Sequence, residues 1–298
     1  MHRKKPYLFL CALALAVLAG CGTTSGHYVP PSPFPDSAPP VASDALTMPP
    51  EPTPTPAPTP TPTPEPAPTP EAAEPYEFGT PLEESEPVAD DSFFDGAVFL
   101  GDSRTEGLQL FSGLKHGDFY WARGMTVFKA DSEDYRPFEV DGQKYDLLGA
   151  LGLKRYEKVY IMLGVNELGY PAESYESGLG KLLDKVLELQ PDAVVYLQVM
   201  PPLNDGLCRQ NKLASYINNE NLAAFNEAIV RVAAEKRVVL LNTAEVYTGP
   251  DGQLPAELAN DGCHFSYGGY KLWADYLRTH VMDRERYFAL REQALAEQ

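Results

Sequence analysis

The feature that most limits what this chain can fold into is its proline distribution. Between Gly22 and Ser92 lie 21 of the 29 prolines and not one Lys or Arg. The centre, Glu51 to Pro70, alternates Pro with Thr and Ala. Each proline fixes φ and removes a backbone donor, and the polar residues between cannot bury enough apolar surface to offset the entropy of ordering. The segment reads as extended, polyproline-like chain with a rise of about 3.1 Å per residue where stiff. Some seventy such residues reach roughly 200 Å. The composition turns globular at residue 93, and the remaining 93–298 suffice for one sizeable core, hence one domain. Residues 21–92 then serve as a spacer, or simply as a solvated tail of no tuned length.

Ahead of the proline segment stands an export signature. Arg3, Lys4 and Lys5 precede an apolar run from Tyr7 to Gly20. That run is shorter than the ~20 residues a spanning helix needs, and it closes on small residues, as a cleavable signal over 1–20 does. Leu18-Ala19-Gly20-Cys21 resembles the lipobox of bacterial lipoproteins, in which Cys21 would be acylated and become the first mature residue. The alternatives are ordinary secretory cleavage with Cys21 incidental, and an uncleaved anchor. On the lipoprotein reading the protein sits on the outer face of the cytoplasmic membrane, anchored by lipid. Its formal charge of −18 becomes −21 once the three basic residues leave. Nucleic-acid partners are disfavoured, since that affinity rests on neutralising phosphates. Cys208 and Cys263 are the thiols left in the body of the chain. Export would permit a disulfide between them, though two thiols are too few for a disulfide framework; paired and unpaired states both stay open.

Within 93–298, short apolar runs alternate with helical periods. Ala97–Leu100, Val159–Leu163, Ala193–Val199 and Val238–Leu241 read as strands buried on both faces, and Phe119–Trp121 as a weaker fifth. Leu182, Leu183, Val186 and Leu187 mark one helix, Leu222, Phe225, Ile229 and Val232 another, Tyr270, Trp273 and Leu277 a third. A last, weaker one covers about Arg284 to Ala296. The alternation predicts an α/β fold, a parallel sheet with helices on both faces. In such sheets ligands bind beyond the carboxyl ends of the strands.

Four polar motifs fall there. Gly101-Asp102-Ser103-Arg104 follows the first strand. Ser103 can present its hydroxyl beside the N–H groups of a helix start, or merely cap that helix. Arg123-Gly124 follows the second, where Gly124 offers a close N–H or a simple turn. Gly164-Val165-Asn166-Glu167 follows the third, and the Asn166 amide can donate to a developing oxyanion or serve a turn. Asp261-Gly262-Cys263-His264 precedes a helix. An Asp three residues before a His can receive one ring N–H and leave the other nitrogen as a base, or can cap the helix. His116 reads as a loop residue and His280 as a surface or cap residue. Arg104 reads as a surface charge, with contact to an anionic substrate as the alternative.

Together the four blocks resemble the SGNH/GDSL hydrolase family in identity, order and placement, from about Ala97 to Leu277. The resemblance implies a flavodoxin-like three-layer sandwich with about five parallel strands. It also implies a Ser103–His264–Asp261 triad, and an oxyanion hole from the Ser103 and Gly124 N–H groups with the Asn166 side chain. No metal or other cofactor is called for. Two departures stand out: Arg104 where the name-giving motif has Leu, and Glu167 where the commoner form has Asp. The absence of a Gly-x-Ser-x-Gly elbow disfavours the other common esterase architecture.

The expected function is an extracytoplasmic serine esterase, acting as a monomer on O-acyl, foremost O-acetyl, esters of small molecules or envelope glycans. Acyl transfer to a glycan, a lysophospholipase or other lipid esterase, and a non-catalytic binding module are the alternatives. Acyl length, acceptor and envelope type are not encoded in any motif.

Overall fold

A computed structural model describes residues 76–297 of the protein. The expected signal, Cys21 and most of the proline segment therefore lie outside the described residues.

Five strands build one fully parallel sheet: β1 (Ala97–Gly101), β2 (Asp118–Trp121), β5 (Lys158–Met162), β6 (Val194–Gln198) and β7 (Val239–Leu241). Their order is β2-β1-β5-β6-β7. Register is set pairwise, with Leu100 opposite Tyr120 on one side and Ile161 on the other. The strands β1, β5, β6 and β7 are buried along nearly their whole length, which is why they read as continuous apolar runs. All five expected strands are present, and the chain is α/β as predicted.

Helices cover both faces. On one, α2 (Leu147–Leu151), α3 (Ala172–Leu189) and α5 (Asn219–Lys236) pack on Val98, Leu100, Val159, Ile161, Val195 and Leu197. On the other, α1 (Ser103–Phe111), α6 (Tyr267–Thr279) and α7 (Arg284–Ala296) pack on Phe99, Tyr160, Met162 and Tyr196. The two sets of strand residues alternate along each strand, as the pleat requires. The second face is aromatic: Phe119, Phe99, Tyr160 and Tyr196 stack across four neighbouring strands with centroids 4.5–4.9 Å apart. The short helix α4 (Asp205–Gln210) lies beyond β6, capped by Asn204.

Two features were not anticipated. A hairpin of β3 (Phe138–Val140) and β4 (Gln143–Tyr145) turns on Asp141 and Gly142, both at positive φ, +53° and +78°. Asp-Gly between extended runs is a strong two-residue hairpin signal. The second is a correction of the domain boundary. The linker was expected to extend to Ser92, but Tyr76–Ser92 packs onto the domain. Leu82 N–H donates to Leu240 O at 2.8 Å, and Leu240 N–H donates to the Tyr76 hydroxyl at 2.9 Å. Ser85 and Val88 N–H groups donate to Thr279 O and Arg278 O. Phe78 meets Tyr287 edge-on, and Leu82 is buried. This strap occupies hydrogen-bonding groups of β7, the edge strand, which would otherwise be exposed for pairing. It contacts the ends of α6 and α5 that lie at the amino ends of the strands, opposite the motifs.

Candidate active site

Asp102 caps α1. Its Oδ1 accepts the Arg104 N–H at 2.8 Å, so the helix begins at Ser103. That places the Ser103 side chain at a helix N-terminus, beside N–H groups without intrahelical partners.

The His264 loop is built around the Asp261 carboxylate. Oδ1 accepts the N–H groups of Cys263 and His264, at 2.9 and 2.7 Å. Oδ2 accepts the His264 Nδ1–H at 2.8 Å. With Nδ1 donating, Nε2 is left as the base, and it accepts the Ser103 hydroxyl at 2.8 Å. Partial burial alone would raise the Asp261 carboxyl. The His264 ring and the two backbone N–H groups outweigh it and hold the group well below the usual carboxylate range. Gly262, at φ +99°, lies against the backbone of Asn204 and Cys208, and a Cβ there would come within 2.5 Å of the Cys208 nitrogen. Only glycine lets the loop approach α4 so closely.

Arg104 is not the surface charge expected. It is 1% exposed. Its Nε–H donates to the Cys263 carbonyl at 3.1 Å, and its guanidinium lies over the Phe265 ring, 5.3 Å from the centroid. The residue after the serine thus grips the residues flanking His264 and ties the two halves of the relay together. No single-sequence signal distinguishes such a buried arginine from an exposed one.

The two other blocks converge on the same place. Gly124 has φ +72°, a conformation glycine adopts without strain, and its N–H makes no hydrogen bond among the described residues. Asn166 Nδ2 donates to Met125 O at 3.0 Å and to Asp102 Oδ2 at 3.2 Å. Asn166 therefore links the Ser103 block to the Gly124 block. Both of its amide hydrogens are engaged, so donation to an oxyanion means exchanging or sharing one of these bonds. Burial pushes the Asp102 carboxyl up, opposed by the Arg104 charge and N–H.

Glu167 is fully buried. Its Oε1 accepts the Val127 N–H at 2.6 Å, and Oε2 has no partner. Burial, reinforced by the Asp102 charge and opposed by the Val127 N–H and Lys129, pushes its carboxyl up to about 8. Burial thus favours the neutral form of Glu167, which clamps the Asn166 turn to the segment after Gly124.

Cys208 and Cys263 are both buried free thiols, so the disulfide left open by the sequence is not formed here. Burial pushes Cys208 up to about 11 and raises Cys263 as well; neither is a poised thiolate. His280 caps α6 but is buried, its ring stacked on Tyr276. His116 contacts Asp95, away from the other motifs. Among the described residues, no group of His, Cys, Asp and Glu gathers as a metal site requires.

A cleft of about 410 Å³ opens at Ser103 and His264. It runs along α1 through Glu106, Gly107, Leu110 and Phe111, the positions that share one helix face. Tyr270 and Phe265 line it from the other side, and Arg123, donating through Nε and Nη2 to the two Glu106 carboxylate oxygens at 2.6 and 2.8 Å, stands at its rim. An activated hydroxyl beside unpaired N–H donors at an open cleft can attack a carbonyl and hold the resulting negative charge.

The model of the GDSL-like Lipase/Acylhydrolase family matches residues 99–272, more than half of the chain and all four motifs. No curated protein sequence matches. Among solved structures, the chain is similar to a candidate platelet activating factor from Streptococcus pneumonia, at 24% identity and TM-score 0.48, over 61% of this chain and 81% of that one. It is similar to a GDSL-like lipase from Bacteroides thetaiotaomicron, at 16% identity and TM-score 0.45, over 67% and 87%. A candidate acylhydrolase from Bacteroides fragilis matches at 15% identity and TM-score 0.46, over 65% and 87%. The family model carries the assignment: the chain belongs to the GDSL-like Lipase/Acylhydrolase family, and its activity class is that of a hydrolase.

Proposed function

We propose that the protein is a serine esterase that removes O-acyl groups, foremost O-acetyl, from glycans of the cell envelope. The observation that carries the esterase reading is the continuous relay from Ser103 Oγ through His264 to Asp261, 2.8 Å at each step. In the first half-reaction, Ser103 Oγ attacks the ester carbonyl as His264 Nε2 takes its proton. The tetrahedral oxyanion is met by the N–H groups of Ser103 and Gly124 and by one amide hydrogen of Asn166. Collapse breaks the bond to the alcohol, which receives the proton from Nε2, leaving an acyl-serine. Water, deprotonated by the same nitrogen, attacks that ester, and the acid departs as the proton returns to Ser103. Asp261 stays ionised and stabilises the imidazolium in both halves.

The glycan substrate and the envelope location rest on the sequence: the export signature at 1–20, the lipid acceptor Cys21 and the long proline spacer before the domain. On this reading Cys21 anchors the protein in the outer face of the cytoplasmic membrane. An open cleft rather than a tunnel is compatible with an acyl group presented on a polymer. Acyl transfer uses the same acyl-serine with a sugar hydroxyl in place of water, and product analysis with an acceptor sugar separates the two.

The experiment is acetate release from O-acetylated wall glycan, with p-nitrophenyl acetate as a small reference ester. Ser103→Ala should lose at least about 10³-fold in kcat/KM on both, with its thermal midpoint kept within a few degrees. Full activity in that variant removes Ser103 from the mechanism. Turnover of the small ester with no acetate released from glycan refutes the glycan reading alone.

A further inference from the structure

Among the described residues, five aromatic side chains are exposed: Phe111, Phe128, Tyr170, Tyr216 and Tyr267. Each lies in a segment that follows a strand's carboxyl end. Four of them follow the site residues closely. Phe128 is four residues after Gly124, Tyr170 four after Asn166, Tyr267 three after His264, and Phe111 eight after Ser103. They form two groups, each beside site residues. Phe128 and Tyr170 lie with centroids 5.3 Å apart, and Gly169 brings the chain against the Tyr216 ring, where a Cβ would come within 3.0 Å of it. These three rings follow the Gly124 and Asn166 blocks and the end of β6, Phe128 and Tyr170 in contact and Tyr216 beside Gly169. In the second group Phe111 lines the cleft beside Tyr270, and Tyr267 opens α6 next to the His264 loop. The other aromatic rings among the described residues are buried or half-buried.

We propose that this rim is a stacking surface for the sugar rings of a neutral O-acylated polysaccharide, holding the chain across the cleft so that an acyl group meets Ser103. The proposal rests on the esterase reading and names how its polymer is held. A pyranose ring presents C–H bonds on its faces and hydroxyls on its edge. The negative face of an aromatic ring attracts those C–H groups while the hydroxyls stay in water. Three rings offer repeated contacts to a repeating ligand, which a single small ester would not use.

Charge favours a neutral glycan over an anionic bilayer or a polyanion. A chain of net charge −18 is repelled by anionic lipid and by anionic polymers. The three rings are 43%, 56% and 43% exposed, Phe128, Tyr170 and Tyr216 in turn.

The test uses two neutral substrates, O-acetylated xylan and O-acetylated glucomannan, beside p-nitrophenyl acetate. In the triple variant Phe128→Ala/Tyr170→Ala/Tyr216→Ala, the ratio of polymer to small-ester kcat/KM should fall at least about tenfold on one or both polymers. The same substitutions in a Ser103→Ala background should weaken polymer binding by a similar factor in affinity electrophoresis. That second readout needs no turnover, so loss of the stacking surface and failure of the esterase chemistry give separate results. Should the triple variant unfold, Tyr170→Ala, the most exposed of the three, carries the test with a smaller fall of about threefold. A ratio unchanged within twofold, or equal losses on polymer and small ester, overturns the proposal. So does absence of polymer binding by the Ser103→Ala protein, or ring-dependent binding to phosphatidylcholine vesicles instead.

Discussion

The two ends of the sheet are built on different terms. At the amino end, the strap from Tyr76 to Val88 closes the edge of β7 with backbone hydrogen bonds, and Phe78 and Leu82 pack beside Tyr287 and the α6 terminus. At the carboxyl end, Asp102 and Glu167 are buried acids pushed toward neutrality, Arg104 is a buried cation, and the last two each keep a polar atom without a partner. Burying such groups costs stability unless hydrogen bonds satisfy them. One end holds the fold together; the other holds a serine, a histidine and an asparagine at set distances, at some cost to the fold.

Four substitutions probe this contrast, from the largest expected effect to the smallest. Asp261→Asn keeps the shape of the His264 loop but removes the charge that fixes the imidazole tautomer; kcat/KM on p-nitrophenyl acetate should fall about 10³–10⁴-fold with little change in thermal midpoint. Asn166→Ala should cost about 10²–10³-fold in kcat, as loss of one oxyanion donor does. Because Asn166 also joins Asp102 to Met125, its unfolding midpoint in urea should drop too. Leu82→Ala is the reverse case: a loss of about 2–3 kcal/mol in urea unfolding, with kcat unchanged. A drop in kcat comparable to that of Asn166→Ala would mean that the two ends are not independent.

The smallest effect is pH-dependent and tests the buried acid. The Glu167 carboxyl is raised in the folded state, so it contributes most favourably below its unfolded value near 4.5 and loses that contribution as pH rises toward about 8. Glu167→Gln keeps the acceptor for the Val127 N–H and cannot ionise. It should match the natural protein at pH 4 and be more stable by about 1–3 kcal/mol at pH 8. Equal pH dependence of the two thermal midpoints would show that Glu167 does not titrate across this range.

Much of this contrast could be read from the sequence. The strands are apolar runs because a parallel sheet buries both faces, and the four motifs sit where such sheets place their ligands. Ser103, Asp261 and His264 were therefore legible as residues, and the structure brings them within hydrogen-bond reach. What escaped was packing that depends on contacts far apart in the chain. Arg104 looks like any surface arginine until Cys263 and Phe265 are placed over it. Glu167 looks like a conservative exchange until its burial is seen. The strap looks like linker because its contacts, through Leu82 and Ser85 to Leu240 and Thr279, span more than 150 residues. The Asp141-Gly142 hairpin, by contrast, was within reach of local turn chemistry.

The strap also has a mechanical meaning. Chain that enters at Tyr76 continues through the strap into β1, and β1 leads in a few residues to Ser103. A domain that grips a polymer at its carboxyl edge while held by the chain before Tyr76 carries tension along that path. The bonds at Leu240, Thr279 and Arg278 lie first in line and can open one after another. Under such a load they would yield before it reached the strand that positions the nucleophile.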